Sequence, residues 1–177
     1  MDVFEAIAKR YSYRGPFIEA RIPREDLRKI VQAGIQAPSG KNEQVTSFVI
    51  VDDPDLIRQI AQIVAKPVCE TAQAFIVCVA DSRPVFENIA FDAEDCAAAV
   101  ENMLLAITAM GYAAVWLDGV LRFNNVAQRI GDLLGVPQDR KIRVLLPLGV
   151  AAQPGVQKEK LPFEKRASFN RYGSVCP

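Results

Sequence analysis

The chain contains no histidine. That absence excludes the Ser-His-Asp and Cys-His constellations of nucleophilic catalysis, and it leaves a zinc site with only Cys and carboxylate ligands. Cysteine is scarce too. Cys69, Cys78, Cys96 and Cys176 form no C-x-x-C pair and sit among ordinary apolar residues, so they are expected to be reduced, buried small hydrophobes, and no metal is expected. Neither sign of charge is in surplus, because 21 Lys and Arg balance 21 Asp and Glu. Nothing global therefore points to a nucleic-acid or membrane-surface partner. No apolar run approaches the roughly 20 residues that span a bilayer; the longest, Cys96 to Met110, is interrupted by Glu101 and Asn102. Met1 to Arg10 carries acidic residues and no apolar core, so no signal peptide is expected there and the chain is expected to be cytoplasmic. Two nucleotide-binding signatures are also missing: no G-x-G-x-x-G follows a predicted strand, and no G-x-x-x-x-G-K-[ST] occurs.

What is present is a hydrophobic chain of 177 residues, half of them apolar, enough for one buried core and read as a single domain over residues 1–177. Periodicity predicts helices over Asp2 to Lys9, Arg24 to Gln36, Pro54 to Val64, Phe91 to Met110 and Asn124 to Leu134. Strands are predicted over Ser47 to Val51, Phe75 to Ala80, Ala113 to Leu117 and Ile142 to Val150, mostly as unbroken apolar runs that suit burial on both faces. The helix Phe91 to Met110 is apolar on nearly every face, which suggests that a second copy of the chain helps to cover it. From Ala151 onward the chain turns polar, Lys-rich and extended. The element order predicts an α+β, three-layer fold with a central sheet between helices.

Three clusters carry candidate chemistry. Arg10, Tyr11, Ser12 and Arg14 place two guanidinium groups and a hydroxyl where they can converge on one anion, although a solvated basic turn reads the same way. Ala37 to Gln44 sets small residues, which allow close backbone approach, beside Asn42 and Gln44, which can pair with a heterocycle. After the last strand, Lys158 and Lys160 fall on one side of an extended backbone. Each cluster alone is also compatible with an ordinary loop or a charged tail.

Their order and spacing resemble the nitroreductase family of FMN-dependent flavoproteins across nearly the whole chain. The matching elements are Arg10-x-Ser12-x-Arg14; Ala37-Pro38-Ser39 with Asn42 and Gln44, leading into a strand; the helix around Asp95 to Leu105; Gly111 with the strand Ala113 to Gly119; and Gly149 followed by Lys158 to Pro162. The resemblance implies a central mixed, mostly antiparallel sheet flanked by helices, in an intertwined homodimer with FMN at the interface. It implies that Arg10, Ser12, Lys158 and Lys160 hold the FMN phosphate, with Tyr11 beside them. Arg14 would face the N1/O2 edge of the ring, where a cation favours the reduced state. Pro38, Ser39, Gly40, Asn42 and Gln44 would line the ring and ribityl chain. Leu117, Asp118 and Gly119 would approach the flavin, with the Gly119 N–H at N5, and Lys66 would touch its pyrimidine edge. No side chain is assigned an acid or base role; the implied reaction is ping-pong hydride transfer from NADH or NADPH to a nitroaromatic, quinone or similar acceptor. The chain departs from the family where Val45-Thr46 replaces Pro-Trp, and it lacks long inserted helices, which leaves the pocket open or lidded by Pro84 to Ala90. Enone reduction, dehalogenation, flavin degradation and non-catalytic FMN binding remain open alternatives.

Overall fold

The computed structural model describes residues 1–174; Cys176 lies outside them. Local signals account for most helix boundaries. Asp2 accepts the Glu5 N–H at 2.9 Å and caps α1 (Val3–Lys9). The buried positions Leu27, Ile30, Val31 and Gly34 form one stripe along α2 (Arg24–Ile35). Pro54 opens α3 (Pro54–Val64) at a position where a missing N–H costs nothing, and Asp53 accepts the N–H groups of Asp55 and Leu56. One short turn, α4 (Pro67–Glu70), follows. α5 (Asp92–Ala109) is the long central helix, and α7 (Phe163–Arg166) is a single turn in the tail. α6 (Val126–Leu134) begins later than Asn124 because Asn124 and Asn125 both take left-handed backbone, with φ of 51° and 55°.

Strands β1 (Thr46–Val51), β2 (Ala74–Asp81), β3 (Ala113–Ala114) and β4 (Arg140–Gly149) form one sheet in the order β1-β2-β4-β3. Every pairing among the described residues is antiparallel, in line with the mostly antiparallel sheet expected. The reason lies in the β1-to-β2 connection. α4 follows α3 and brings the chain back to the end where β1 finished, so Phe75 stands opposite Val51.

The strand expected over Ala113 to Leu117 is corrected. Only Ala113 and Ala114 pair continuously with β4, opposite Gly149 and Leu148. In that register Val115 would meet Pro147, which has no N–H to donate, so the ladder lapses. It resumes at Leu117, which exchanges hydrogen bonds with Leu145 at 3.0 and 2.9 Å. A second irregularity sits in β4, where Arg143 is the extra residue of a bulge opposite Cys78 and Val79. Its guanidinium reaches the carboxylate of Asp92 at the start of α5.

Alternation along the strands feeds two cores. One face sends Val51, Phe75, Val77 and Leu145 against α3, α4 and α6; the other sends Ile76, Cys78, Leu146 and Leu148 against α2 and α5. This is the three-layer arrangement. α5 differs from its expected all-apolar character. Its first two turns bury Asp92 and Asp95, and its apolar faces are covered by the sheet and α2 of the same chain, with Gly34 seated on Met103. Large apolar groups left uncovered lie elsewhere, among them Val3, Phe4 and Ile7 of α1, Ile35 at the end of α2, Phe123, and Val156 and Leu161 of the tail.

Candidate functional site

Residues 10–17 and 151–157 run past each other in opposite directions along the β3 edge of the sheet. Phe17 bridges Ala151, and the Ala152 N–H donates to the Tyr13 hydroxyl at 3.1 Å. Gly155 lies on the Tyr11 ring so closely that a Cβ there would stand 2.8 Å from Cζ. Gln157 Nε2 donates to the carbonyls of Arg10 at 2.8 Å and Ile7 at 3.1 Å. The Tyr13 N–H donates to the Ala114 carbonyl at 2.9 Å, which fixes the first segment to β3. Opposite ends of the polypeptide are thereby joined, and Lys158 and Lys160 follow directly from the joint. They share with Tyr11, Tyr112 and Gly155 the wall of a cleft of about 800 Å³.

Within this arrangement Arg10 is mostly covered and its Nε lies 3.4 Å from Glu101 of α5. Ser12 and Arg14 are exposed, with Arg14 Nη1 donating weakly to the Ser12 carbonyl at 3.4 Å. Leu117 is tied to β4, and Asp118 precedes a 3-10 turn over Gly119–Arg122 and accepts from Arg122 at 2.9 Å. Gly119 is exposed, and a Cβ built on it meets nothing within 4 Å, so its backbone is open to approach. Lys66 is exposed at the start of α4, and its carbonyl accepts the Cys69 N–H at 2.8 Å. α4 shares a core with Tyr13, Phe17 and Leu117.

The second sequence cluster does not join these residues within one chain. Residues 38–44 precede β1, whose first residue Thr46 stands opposite Ala80, while Ala80 also faces Lys141 near the start of β4. The Arg10 segment passes the other end of the sheet, beside Ala114 and Ala151. The loop is shaped by its own contacts. Lys41, Asn42 and Gln44 all adopt left-handed backbone (φ 54°, 58° and 51°), Ser39 Oγ accepts the Gln44 N–H at 3.2 Å, and Asp95 Oδ1 accepts the Gly40 N–H at 2.9 Å. Pro38, Ser39 and Gln44 line a small cavity under it.

Burial pushes the Cys69 thiol up to about 12, and contact with Cys96 at 3.0 Å together with burial raises Cys78, so neither supplies a thiolate near neutrality. Among the described residues no cluster of His, Cys, Asp or Glu can hold a metal ion, and no helix is long and apolar enough to cross a membrane. Sequence reasoning did not identify Gly155, Gln157, Glu101 or Asp95. Only the Pro154-Gly155 turn signal hinted at any of them, since each acts through a partner distant in the chain.

The same architecture recurs among solved oxidoreductases. It is found in nitroreductase A from Vibrio parahaemolyticus, 30% identical, with a TM-score of 0.83 over 99% of this chain and 79% of that one. It is found also in the NADPH:FMN oxidoreductase of Vibrio harveyi, solved in complex with NAD+, at 28% identity and a TM-score of 0.82 over 98% and 79% of the two chains. An NADPH-dependent oxidoreductase of Staphylococcus haemolyticus is 30% identical, the match covering 97% of this chain and 74% of its length. The model of the nitroreductase family matches residues 7–84 and 80–150, and the chain belongs to that family.

Proposed function

We propose that this protein is an FMN-dependent NAD(P)H oxidoreductase, a homodimer that reduces nitroaromatics, quinones or similarly electron-poor acceptors in the cytoplasm. The observation that supports this reading most is the joint between residues 10–17 and 151–157, which delivers Lys158 and Lys160 to the side of the molecule that carries Arg10 and Ser12. A phosphate dianion drawn partly out of water needs several charge-assisted donors, and one guanidinium, one hydroxyl and two ammonium groups make such a set. The close seat of Gly155 on Tyr11 keeps the tail against that site. A neutral chain thus concentrates positive charge where an anion is wanted.

When bound, FMN would supply the hydride-accepting and electron-donating chemistry between NAD(P)H and the second substrate. Arg14 would favour the extra charge at the N1/O2 edge, the open backbone at Gly119 would serve N5, and Leu117, Asp118 and Lys66 would border the ring. Pro38, Ser39, Gly40, Asn42 and Gln44 serve the site of the other subunit, because the sheet separates them from the Arg10 segment of their own. The exposed apolar groups Val3, Phe4 and Ile7 of α1, 58%, 80% and 48% exposed, suit burial by that second copy. No side-chain acid or base is required for hydride transfer, in keeping with the absence of histidine, and water supplies the proton. Names of relatives that carry NADPH, FMN and flavin reduction support the same assignment.

The test is the visible spectrum of the purified protein, followed by anaerobic addition of NADH or NADPH and then a nitroaromatic. A flavin band that bleaches with a pyridine nucleotide and returns with the acceptor is expected. Bound flavin that neither nucleotide reduces favours a non-catalytic FMN-binding protein, and a colourless protein that takes up no FMN refutes the reading.

A further inference from the structure

The first turns of α5 clamp the loop 37–44 from below. Phe91 leaves no room at Gly40, where a Cβ would lie 2.8 Å from the ring Cγ, and the next turn offers the Asp95 carboxylate to the Gly40 N–H at 2.9 Å. Three non-glycine departures from ordinary backbone within four residues, at Lys41, Asn42 and Gln44, are held by these contacts and by the hydrogen bond from the Gln44 N–H to Ser39 Oγ. Asp95 itself is only 5% exposed, and its Oδ2 has no hydrogen-bond partner among the described residues. It borders a cavity of about 50 Å³ shared with Ser39, Gln44 and Thr46. A fold that needed only an anchor for Gly40 would be served by a neutral amide. A buried carboxylate oxygen without a donor is costly and uncommon, and such atoms concentrate where a site uses them.

We infer that Asp95 is a positioning residue for the flavin of the other subunit: Oδ1 fixes the loop that lines the ring, and Oδ2, left without a donor, sets an acidic group against charge on the reduced cofactor. This rests on the reading that residues 38–44 line a flavin. An acidic group buried beside that loop is weakly screened, so it is a counterweight to Arg14 and holds the reduction potential down. The hydrogen bond acts differently, on the fraction of molecules whose loop is in the binding geometry, and apparent affinity falls with that fraction.

Two substitutions separate the roles. Asp95→Asn keeps an oxygen for the Gly40 N–H and removes the charge. It is expected to bind FMN within about twofold of wild type while its flavin midpoint potential, read by anaerobic dye titration, rises. Asp95→Ala removes the anchor and is expected to weaken FMN about tenfold, the loss of a charge-assisted hydrogen bond. Gly40→Ala, which forces the loop off Phe91, is expected to weaken FMN as well, and adding Phe91→Ala to it restores affinity. An unchanged potential in Asp95→Asn overturns the inference, as does an Asp95→Ala protein that holds FMN as tightly as wild type. Wild-type protein that binds no FMN refutes instead the functional reading beneath it, and the inference with it.

Discussion

Replacing Gly155 by alanine should detach the C-terminal tail from the site while leaving the core intact. The added methyl would stand 2.8 Å from Tyr11 Cζ and 2.9 Å from Cδ2, at least half an ångström inside ordinary carbon contact. Tyr11 is half-buried against the core and cannot swing away freely, whereas the tail is exposed, so the tail is what moves. With it go the two hydrogen bonds of Gln157, to Arg10 at 2.8 Å and to Ile7 at 3.1 Å. At about 0.5–1.5 kcal/mol net for each, the docked tail loses about 1–3 kcal/mol. Its docking constant then falls about 5- to 150-fold, and the apparent dissociation constant for FMN rises by up to the same factor. Titration of the apoprotein with FMN, followed by quenching of flavin fluorescence, reads this directly. Thermal unfolding of the apoprotein should hardly change, because the tail lies outside both cores. Gly155→Ala protein with wild-type FMN affinity would refute the reasoning, since the joint would then contribute nothing to the site.

Two further outcomes concern stability. A Cβ on Gly149 would lie 2.8 Å from Cγ of the buried Phe17 ring, so Gly149→Ala overpacks a closed core and should cost about 1–3 kcal/mol, read as a fall in Tm. Asp92 is buried, which by itself raises a carboxyl, but donors from Arg143 at 2.7 Å and Ser82 at 2.9 Å outweigh that and hold it below the ordinary range. Its contribution is therefore present above about pH 4, the unfolded value, and fades as pH falls through the lower folded one. Asp92→Asn should flatten that acid limb of the urea-midpoint profile, and a limb of unchanged steepness would contradict the assignment.

Elements specified by neighbours in sequence were legible before the fold was in view. The Asp53-Pro54 start set α3 from Pro54 to Val64, and the apolar run Phe75 to Ala80 marked β2 to within one residue at each end. What escaped depended on distant partners. β3 shrank because Pro147, on a strand more than thirty residues later, has no N–H to give it, and Arg143 became a bulge through pairing that no local pattern announces. α5 reads as apolar throughout, yet the carboxylates in its first turns are buried for reasons found on β4 and in the loop before β1. The candidate site divides in the same way. Arg10, Ser12, Lys158 and Lys160 could be named from residue type and order, whereas the glycine that lets the tail lie on Tyr11, and the opposite placement of residues 38–44, follow only from strand register.

FMN binding in this protein turns on a single phosphate gripped by residues far apart in the chain, Arg10 and Ser12 with Lys158 and Lys160. Dissociation constants for FMN and for riboflavin, which lacks the phosphate, measured on wild type and on Arg10→Ala, Lys158→Ala and Lys160→Ala, test it most directly. Each substitution should weaken FMN about tenfold or more, the worth of one charged hydrogen bond, and leave riboflavin unchanged. Equal losses for both ligands, or none for either, would contradict it.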